Sequence, residues 1–401
     1  MGIVGLEERE NIELQEFCRM LVASAAALHR TKHEPNDLRF PSKTNDLTDD
    51  EEGEDKLVCV TSGVSFLGLA LVNRLLLRGY SVRILVDNPE DVEKLGETRT
   101  RTNNNKISAV MANLADVENL SQAFHGCRGV FHTSAFTDPA GLSGYTKAMA
   151  EIEVKASENV MKACSLTASV RKCVLTSSLL ACVWHDSNQD NPSPVINHDC
   201  WSSESLCIDK KLWYALGKLR AEKAAWKIAE EKGIKLATIC PALITGPEFS
   251  TRNPTATIAY LKGGHHHSSN TLLLSKMHTQ TQILVSIFLL CIYTNTGSQD
   301  MYQSGVLATV DMMRLADAHV CVFEAMNKAA FGRYICFDKV IETEEVAEKL
   351  AQETSMSKNK IMGNGSINVQ VRYELSNRKL TNLLSGSLRY CYNQSQQNGK
   401  F

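Results

Sequence analysis

The chain has 401 residues, 43% of them hydrophobic, and its 43 basic and 45 acidic residues leave a net charge of −2. This composition is typical of a globular protein, and the near-neutral charge argues against a strongly basic nucleic-acid binder. The length permits one large α/β domain with an attached lobe, or two ordinary domains. We therefore expect a small-molecule partner and neither a nucleic acid nor a membrane, and the oligomeric state stays open.

Residues 1–55 predict a short helix followed by an acidic linker. Leu14 and Leu21 repeat at helical spacing, and residues 49–55 are almost all acidic. Glu7 stands where an export signal needs positive charge followed by an apolar run, so we expect a cytoplasmic protein. In that compartment the thirteen cysteines are expected to be reduced thiols.

The folded domain begins with a strand, a helix and a second strand. Residues 57–60 are a short apolar run of the buried-strand type, and leucines recur at helical spacing over 67–75. Gly79 ends that helix, and residues 82–86 supply the next strand. This order predicts a βαβ unit.

The alternation of strands and helices continues along the chain. Further strands are predicted at 107–110, 129–132, 172–176 and 236–239, and helices at 114–124, 145–167 and 213–231. Such alternation predicts a doubly wound parallel sheet of the Rossmann type, covered by helices on both faces. Ligands bind such sheets beyond the carboxyl ends of the strands, so we expect functional residues in the strand-to-helix loops.

The first of these loops has the composition of a dinucleotide site. Small residues let backbone N–H groups approach a pyrophosphate at a helix N-terminus, where the helix dipole also favours the anion. Ser62 and Ser65 stand at two of the three usual glycine positions, and only Gly68 keeps its glycine. A serine hydroxyl can donate to phosphate, and Gly63 adds backbone freedom. The alternative is a structural turn without a ligand. The predicted nucleotide-binding residues here are Ser62, Gly63, Ser65, Phe66, Leu67 and Gly68.

A candidate catalytic set follows from spacing and order. Tyr214 and Lys218 are four residues apart at the start of a predicted helix, so the ammonium can favour the phenolate. Lowering the pKa of a free tyrosine from about 10 by ~3 units takes roughly 4 kcal/mol. Ser177 and Ser178 follow the strand 172–176, where a hydroxyl can hold a carbonyl oxygen while the phenol protonates it. Taken alone, the Tyr/Lys spacing could be accidental and the serine a cap.

Several motifs in combination resemble the plant cinnamoyl-CoA reductases and dihydroflavonol reductases, members of the extended short-chain dehydrogenase/reductase superfamily. They are Val-Thr-Ser-Gly-Val-Ser-Phe-Leu-Gly (60–68), Leu-Thr-Ser-Ser (175–178), Trp-Tyr-Ala-Leu-Gly-Lys (213–218), Cys-Pro-Ala-Leu-Ile-Thr-Gly-Pro (240–247), Arg-Leu-Ala-Asp-Ala-His-Val (314–320) and Gly-Arg-Tyr-Ile-Cys-Phe (332–337). The resemblance covers about 57–263 and 298–395.

The resemblance implies an NADPH-dependent reductase with Ser178, Tyr214 and Lys218 as its catalytic residues. Ser178 would position the substrate oxygen, Tyr214 would donate the proton, and Lys218 would hold the nicotinamide ribose. The remaining cofactor contacts that it implies are Arg83, which can meet a phosphate of the cofactor, Asp87 near the adenosine ribose, Asn113 and Leu114 near the adenine, and Pro241 near the nicotinamide.

The chain departs from the family pattern around the tyrosine and at two cofactor positions. Leu212, Ala215 and Leu216 differ from the residues that usually surround the tyrosine in the enzymes acting on cinnamoyl thioesters. Asn113 replaces a usual Asp, and Asp87 stands where an Arg often binds the 2′-phosphate of NADP. These differences place the chain on a side branch. They favour NADP(H) as cofactor through the family and leave NAD(H) open through Asp87.

The predicted domains are an N-terminal helix and linker at 1–55, the NAD(P)-binding domain at 56–241 and a smaller C-terminal substrate lobe at 242–395. The resemblance breaks over 264–297, which includes an apolar run too short to cross a bilayer. We interpret this insertion as a retained intron or gene-model error. The consecutive histidines 265–267 cannot converge well on one ion, so no metal is expected.

The function predicted from these features is hydride transfer from NAD(P)H to a carbonyl or thioester carbon of a phenylpropanoid-like substrate. The substrate itself would be a small-molecule carbonyl compound or an acyl-CoA. One alternative is a catalytically weak NAD(P)-binding regulatory protein, which the two missing glycines would permit. A second is a sugar-nucleotide epimerase, because it uses the same fold and catalytic set.

Overall fold

The computed structural model of the protein describes residues 56–87, 106–133, 145–185, 194–246, 297–328, 330–354, 357–363 and 372–385. The predicted N-terminal helix and linker (1–55) and the histidine triplet lie outside these residues. So does the predicted insertion (264–297), apart from Gly297.

The strands and helices follow one another in a regular α/β order. The strands are β1 (Leu57–Val60), β2 (Ser81–Val86), β3 (Ile107–Met111), β4 (Gly129–His132), β5 (Lys172–Thr176), β6 (Val195–Ile196), β7 (Lys235–Pro241), β8 (Leu243–Thr245), β9 (Ala308–Asp311), β10 (Gly332–Cys336), β11 (Lys339–Val340) and β12 (Glu374–Leu375). The helices are α1 (Phe66–Leu77), α2 (Val117–Phe124), α3 (Lys147–Leu166), α4 (Glu204–Asp209), α5 (Trp213–Lys232), α6 (Ser298–Gln303), α7 (Met312–Ala325), α8 (Glu344–Glu353) and α9 (Lys358–Met362). A short 3₁₀ helix (Leu179–Ala181) follows β5.

A seven-stranded sheet with the order β10-β7-β5-β4-β1-β2-β3 forms the centre of the fold. Every strand pair in it is parallel. The chain runs outward from β1 to β3 and then starts again at β4 on the other side of β1, which is the doubly wound arrangement. The predicted fold class is therefore confirmed, and so are the six strands predicted for this sheet. The crevice between β1 and β4 is the place where such folds bind ligands.

The two faces of the sheet bury separate cores. Along β1, Val58 and Val60 pack into the core covered by α1 and α7, whereas Cys59 packs into the core covered by α2 and α3. This alternation is the period of two that a strand imposes on its side chains. Since both faces are covered, β4 and β5 are buried along their whole length, which explains their apolar runs.

The seventh strand corrects the predicted domain boundary. The sequence placed all of 242–395 in the substrate lobe, but β10 pairs with β7 in the central sheet, and α7 packs against α1 and β5. The chain therefore leaves the sheet after β7 and returns to it with α7 and β10. Arg333 interrupts the apolar run of β10, and it can lie inside the fold because a buried carboxylate pairs with it.

Smaller sheets form beyond the carboxyl end of β7. The strand β9 lies between β8, to which it is parallel, and β11, to which it is antiparallel. A separate pair joins β6 and β12. The strands β8 and β11 directly follow β7 and β10 in the chain, at the carboxyl ends where a substrate lobe is expected. Within the described residues, no helix is long and apolar enough to span a membrane.

Candidate active site

The loop between β1 and α1 is a tight turn held by Ser65. The Ser65 hydroxyl donates to the carbonyl oxygen of Ser62 at 2.7 Å and accepts from the backbone N–H of Gly68 at 3.1 Å. It therefore caps the N-terminus of α1. The sequence predicts that this hydroxyl can donate to phosphate, but its proton is already bonded to the Ser62 carbonyl oxygen within the loop. The loop keeps its shape with serine in place of glycine because the serine closes the turn.

The same loop still has the close backbone contacts that a pyrophosphate cradle needs. A Cβ atom at Gly68 would lie 1.9 Å from the carbonyl oxygen of Ser62, and one at Gly63 would lie 2.5 Å from Cγ2 of Ile84. Only glycine fits at either position. The first turn of α1 carries no acidic residue, so nothing opposes an anion at its positive end. Leu67 is buried beneath the turn. These residues fit a dinucleotide.

Replacing Ser65 with alanine should lower the free energy of unfolding by about 1 kcal/mol, because an N-cap is lost. Ser65→Gly should cost only a few tenths of a kcal/mol, because glycine is itself a tolerated cap. Urea denaturation of both variants measures the difference. Equal stability of the alanine variant and the unmodified protein would show that the hydroxyl does not hold the turn.

The structure separates the two residues expected at the adenosine ribose. Asp87 directly follows β2 and is exposed at the carboxyl end of that strand, where a ribose-binding acid belongs in this fold. Arg83 instead lies in the middle of β2, and its guanidinium donates to the carbonyl oxygens of Ala123 and His125, both at 2.7 Å. Arg83 thus holds the end of α2, and its assignment to a phosphate is corrected.

The loop after β3 places Asn113 and Leu114 at the carboxyl edge of the sheet. The Asn113 side chain accepts from the backbone N–H of Ala115 at 2.8 Å, and the carbonyl of Leu114 accepts from the buried amide of Asn159 at 3.0 Å. Asn113 stays exposed while it shapes this turn. The last predicted contact, Pro241, ends β7.

The structure places Tyr214 and Lys218 one turn apart at the start of α5. Both are buried, and Nζ of Lys218 lies 5.9 Å from the centre of the Tyr214 ring. The 3₁₀ helix that Ser178 caps packs against α5. The two adjacent serines point to different partners, because Ser177 donates to the buried carboxylate of Glu222 at 2.6 Å and Ser178 accepts from the N–H of Leu180 at 3.2 Å. Ser178 is therefore the serine whose hydroxyl proton is open to a ligand.

A buried glutamate that the sequence interpretation missed contacts this lysine. Nζ of Lys218 donates to Oε1 of Glu153 at 2.6 Å, and the two side chains are 4% and 3% exposed. The hydroxyl of Tyr145 donates to Oε2 of the same carboxylate at 3.2 Å, and its ring meets that of Tyr214 edge-on at 5.0 Å. Burial alone would lower the pKa of Lys218, but the Glu153 carboxylate and Tyr214 together raise it.

The helical pattern of α3 contains a feature that could have identified Glu153 from the sequence. It lies between Ala150 and Ser157 on the buried stripe of α3, at the spacing that places all three side chains on one face. An acidic residue inside such a stripe is seldom buried without a partner. That partner is on another helix, so sequence spacing could not identify it.

A buried histidine at the end of β4 lies near Lys218. His132 lies within hydrogen-bonding distance of the hydroxyls of Thr61, at 3.0 Å, and Ser157, at 3.2 Å. Burial and then the charge of Lys218 lower the pKa of His132 to about 3. Burial likewise lowers the pKa of His319, whose Nε2 lies 2.7 Å from the Thr176 hydroxyl, to about 4. Both imidazoles are neutral in the folded protein at neutral pH.

This pair predicts that acid weakens the fold in a defined range. Each histidine binds a proton more readily in the unfolded chain, where the ordinary pKa of about 6.5 applies. Stability should therefore be full above that value and fall as pH drops toward about 4 for His319 and about 3 for His132, by about 1.4 kcal/mol per pH unit per histidine. Urea unfolding between neutral and acid pH tests this, with His319→Asn expected to flatten the slope. An unchanged slope in that variant would contradict the assignment.

Taken together, the doubly wound sheet, the pyrophosphate cradle and the buried tyrosine and lysine define an oxidoreductase dependent on a nicotinamide dinucleotide. Residues 59–270 match the 3-beta hydroxysteroid dehydrogenase/isomerase family, and the chain belongs to this family. Among its relatives are cinnamoyl-CoA reductase 1 of Petunia hybrida, 34% identical over 74% of this chain and 77% of the relative, and tetraketide alpha-pyrone reductase 1 of Arabidopsis thaliana, 31% identical over 73% and 80%.

Solved structures support the same fold. Vestitone reductase from alfalfa is 22% identical with a TM-score of 0.53, over 82% of this chain and 91% of that one. Yeast methylglyoxal/isovaleraldehyde reductase Gre2, complexed with NADPH, is 19% identical with a TM-score of 0.57, over 82% and 93%. The chain is an NAD(P)-dependent oxidoreductase of the extended short-chain type and resembles the cinnamoyl-CoA reductases. Within the described residues, no group of three or more His, Cys, Asp or Glu could hold a metal ion.

Proposed function

We propose that this protein is a cytoplasmic NADPH-dependent reductase that transfers a hydride to a carbonyl or thioester carbon of a phenylpropanoid-like substrate. The observation that carries the proposal is the pairing of Tyr214 and Lys218, buried on one face of α5 and packed against the 3₁₀ helix that Ser178 caps. The plant relatives named for cinnamoyl-CoA and for a tetraketide pyrone support a conjugated carbonyl compound as the substrate class.

The proposed reaction gives a separate role to each of three side chains. Ser178 donates a hydrogen bond to the carbonyl oxygen and so fixes the substrate. Tyr214 gives its proton to that oxygen as negative charge develops on it. Lys218 holds the ribose beside the phenol. The nicotinamide, when bound, supplies the hydride.

The residues around Tyr214 act on specificity through packing. Leu212, Ala215 and Leu216 are all buried in the core that also holds Tyr214. We infer that they set the position of the tyrosine within the site, and that this position separates the chain from enzymes with other residues at these places.

The regulatory alternative keeps one observation in its favour. Ser62 and Ser65 stand at two of the three usual glycine positions in the loop between β1 and α1. A protein with this arrangement could bind a nucleotide and turn over slowly. The reductase and the regulatory protein would differ in turnover rate, and both would bind the nucleotide.

Purified full-length protein tests the proposal in two steps. Calorimetry first measures the affinity for NADPH and NADH. A panel of cinnamoyl thioesters, the matching aldehydes and flavonoid ketones then reports turnover through loss of NADPH absorbance. Turnover of any member of the panel supports the reductase, and a UDP-sugar series is the comparison for an epimerase. Tight nucleotide binding with no turnover of either set would support the regulatory alternative.

Cofactor preference should depend on Asp87. Its carboxylate at the end of β2 repels a 2′-phosphate and can accept a hydrogen bond from a ribose hydroxyl. We expect NADPH to bind with weak discrimination against NADH, and Asp87→Arg to raise the ratio of the two affinities about tenfold or more. Asp209→Arg makes the same change at an exposed aspartate on α4 and should leave the ratio alone. An unchanged ratio in Asp87→Arg would show that Asp87 is not at the ribose.

A further inference from the structure

The lysine beside the candidate proton donor does not carry a free positive charge. Its ammonium is paired at 2.6 Å with Glu153, and both groups are almost fully buried. Tyr145 holds the second oxygen of that carboxylate and also packs edge-on against Tyr214. The phenol of Tyr214 therefore lies beside an ion pair whose net charge is near zero.

The other ionisable groups around this ion pair do not restore the positive charge. His132, on β4, is neutral because burial and the charge of Lys218 lower its pKa to about 3. Burial, Glu153 and Tyr214 all raise the pKa of Tyr145, so its phenol stays protonated. Glu222, one turn along α5 from Lys218, is paired with Arg333 at 2.8 Å. Of the acidic groups in the described part of the chain, Glu153 thus contributes most to raising the pKa of Lys218.

We propose that Glu153 is a positioning residue that neutralises Lys218 and keeps Tyr214 at neutral pH in its proton-donating form, the form that reduction needs. The inference rests on the proposed role of Tyr214 as proton donor. It adds a carboxylate to the sequence expectation that Lys218 lowers the pKa of the phenol.

The proton balance shows which protonation state of Tyr214 each direction of the reaction needs. In reduction, the carbonyl carbon gains a hydride from NADPH, which is oxidised, and the O–H bond of Tyr214 breaks as the new O–H bond of the alcohol forms. In oxidation, the tyrosine must begin as a phenolate in order to remove that proton. Glu153 is paired with the lysine that lies near the phenol, so it offsets the positive charge that would favour the phenolate. The protonated tyrosine, which reduction needs, is therefore the more populated form.

Glu153→Gln tests this role directly. The amide oxygen can still accept from Lys218, so the change removes charge and keeps the hydrogen bond. Glu158→Gln makes the same chemical change on the same helix, at a partly exposed residue that pairs with Lys162 at 3.3 Å. The ionisation of Tyr214 is read from tyrosinate absorbance during a pH titration of nucleotide-free protein. Subtracting the same titration of the matching Tyr214→Phe protein removes the signal of the other tyrosines.

We expect Glu153→Gln to lower the midpoint of Tyr214 ionisation by about one pH unit, and Glu158→Gln to leave it unchanged. The basic limb of the pH profile of kcat/KM for reduction should move down by the same amount. A midpoint that is equal in Glu153→Gln and the unmodified protein overturns the proposal.

The absorbance titration needs no substrate, so it still decides the question if no carbonyl compound is reduced and the proposed function fails. If Glu153→Gln does not fold, the unmodified protein and Tyr214→Phe suffice. An ionisation midpoint above about 8 for Tyr214 supports a neutralised lysine, and a midpoint of about 8 or lower overturns it.

Discussion

Replacing Tyr214 with phenylalanine is expected to lower reductive turnover by at least about a hundredfold and to leave nucleotide affinity unchanged. A positioned general acid contributes about 10²–10⁴ in rate, and phenylalanine has no proton to give. The ring itself should keep its place, because it is buried and packs edge-on against Tyr145 at 5.0 Å. The loss should therefore fall on kcat, with KM for the nucleotide near its original value.

The matched control is Tyr80→Phe, which removes a hydroxyl at the opposite edge of the sheet. Tyr80 precedes β2, and its ring packs edge-on against Phe323 at 6.0 Å. Its turnover should equal that of the unmodified protein. If Tyr214→Phe also keeps near-normal turnover, then another group donates the proton, and the regulatory or epimerase alternatives gain support.

Local patterns explain why so much of the central sheet could be predicted. Each of the six predicted strands is a short apolar run, and both faces of this sheet are covered, so the run is a direct consequence of burial. Helix α5 was equally visible, since the position of Tyr214 and Lys218 depends only on the helical repeat. The predicted ends of the strands and helices differ from the observed ends by a few residues. The fold class did not depend on them.

Features that depend on contacts between distant segments were missed. Arg83 is on the strand expected for a phosphate ligand, but the neighbouring helix end uses its guanidinium. Glu153 and Lys218 are sixty-five positions apart and meet only because α3 packs against α5. The use of Ser65 inside its own turn is a local hydrogen bond that competes with ligand binding. Spacing identifies which residues share a face, and tertiary contact decides what each side chain can still bind.

The last strand of the sheet holds the largest expected effect on stability. Arg333, on β10, donates through Nε to the fully buried carboxylate of Glu222 at 2.8 Å, and its guanidinium stacks on the ring of Trp201 at 3.5 Å. The same carboxylate accepts from the hydroxyls of Ser177 and Thr238, both at 2.6 Å. One buried ion pair therefore connects α5 with β5, β7 and β10, the three strands at this side of the sheet.

Arg333→Met should lower the free energy of unfolding by about 3–5 kcal/mol, because it leaves the Glu222 carboxylate buried without its cation. The surface pair Arg78–Glu324, joined at 2.9 Å with side chains 48% and 34% exposed, supplies the control. Arg78→Met should cost about 1 kcal/mol or less. Urea unfolding of both variants gives the comparison.

The double variant Arg333→Met with Glu222→Gln distinguishes an orphaned charge from lost packing. If the cost arises from the unpaired carboxylate, the double variant should be more stable than Arg333→Met alone, because the amide carries no charge to bury. If the cost arises from the lost contact with Trp201, the second change should bring no recovery. Burial of Arg333 in β10 depends on the carboxylate that α5 places beside it. The position of β10 is therefore set by a residue more than a hundred positions earlier in the chain, and no local pattern in residues 332–336 could have revealed it.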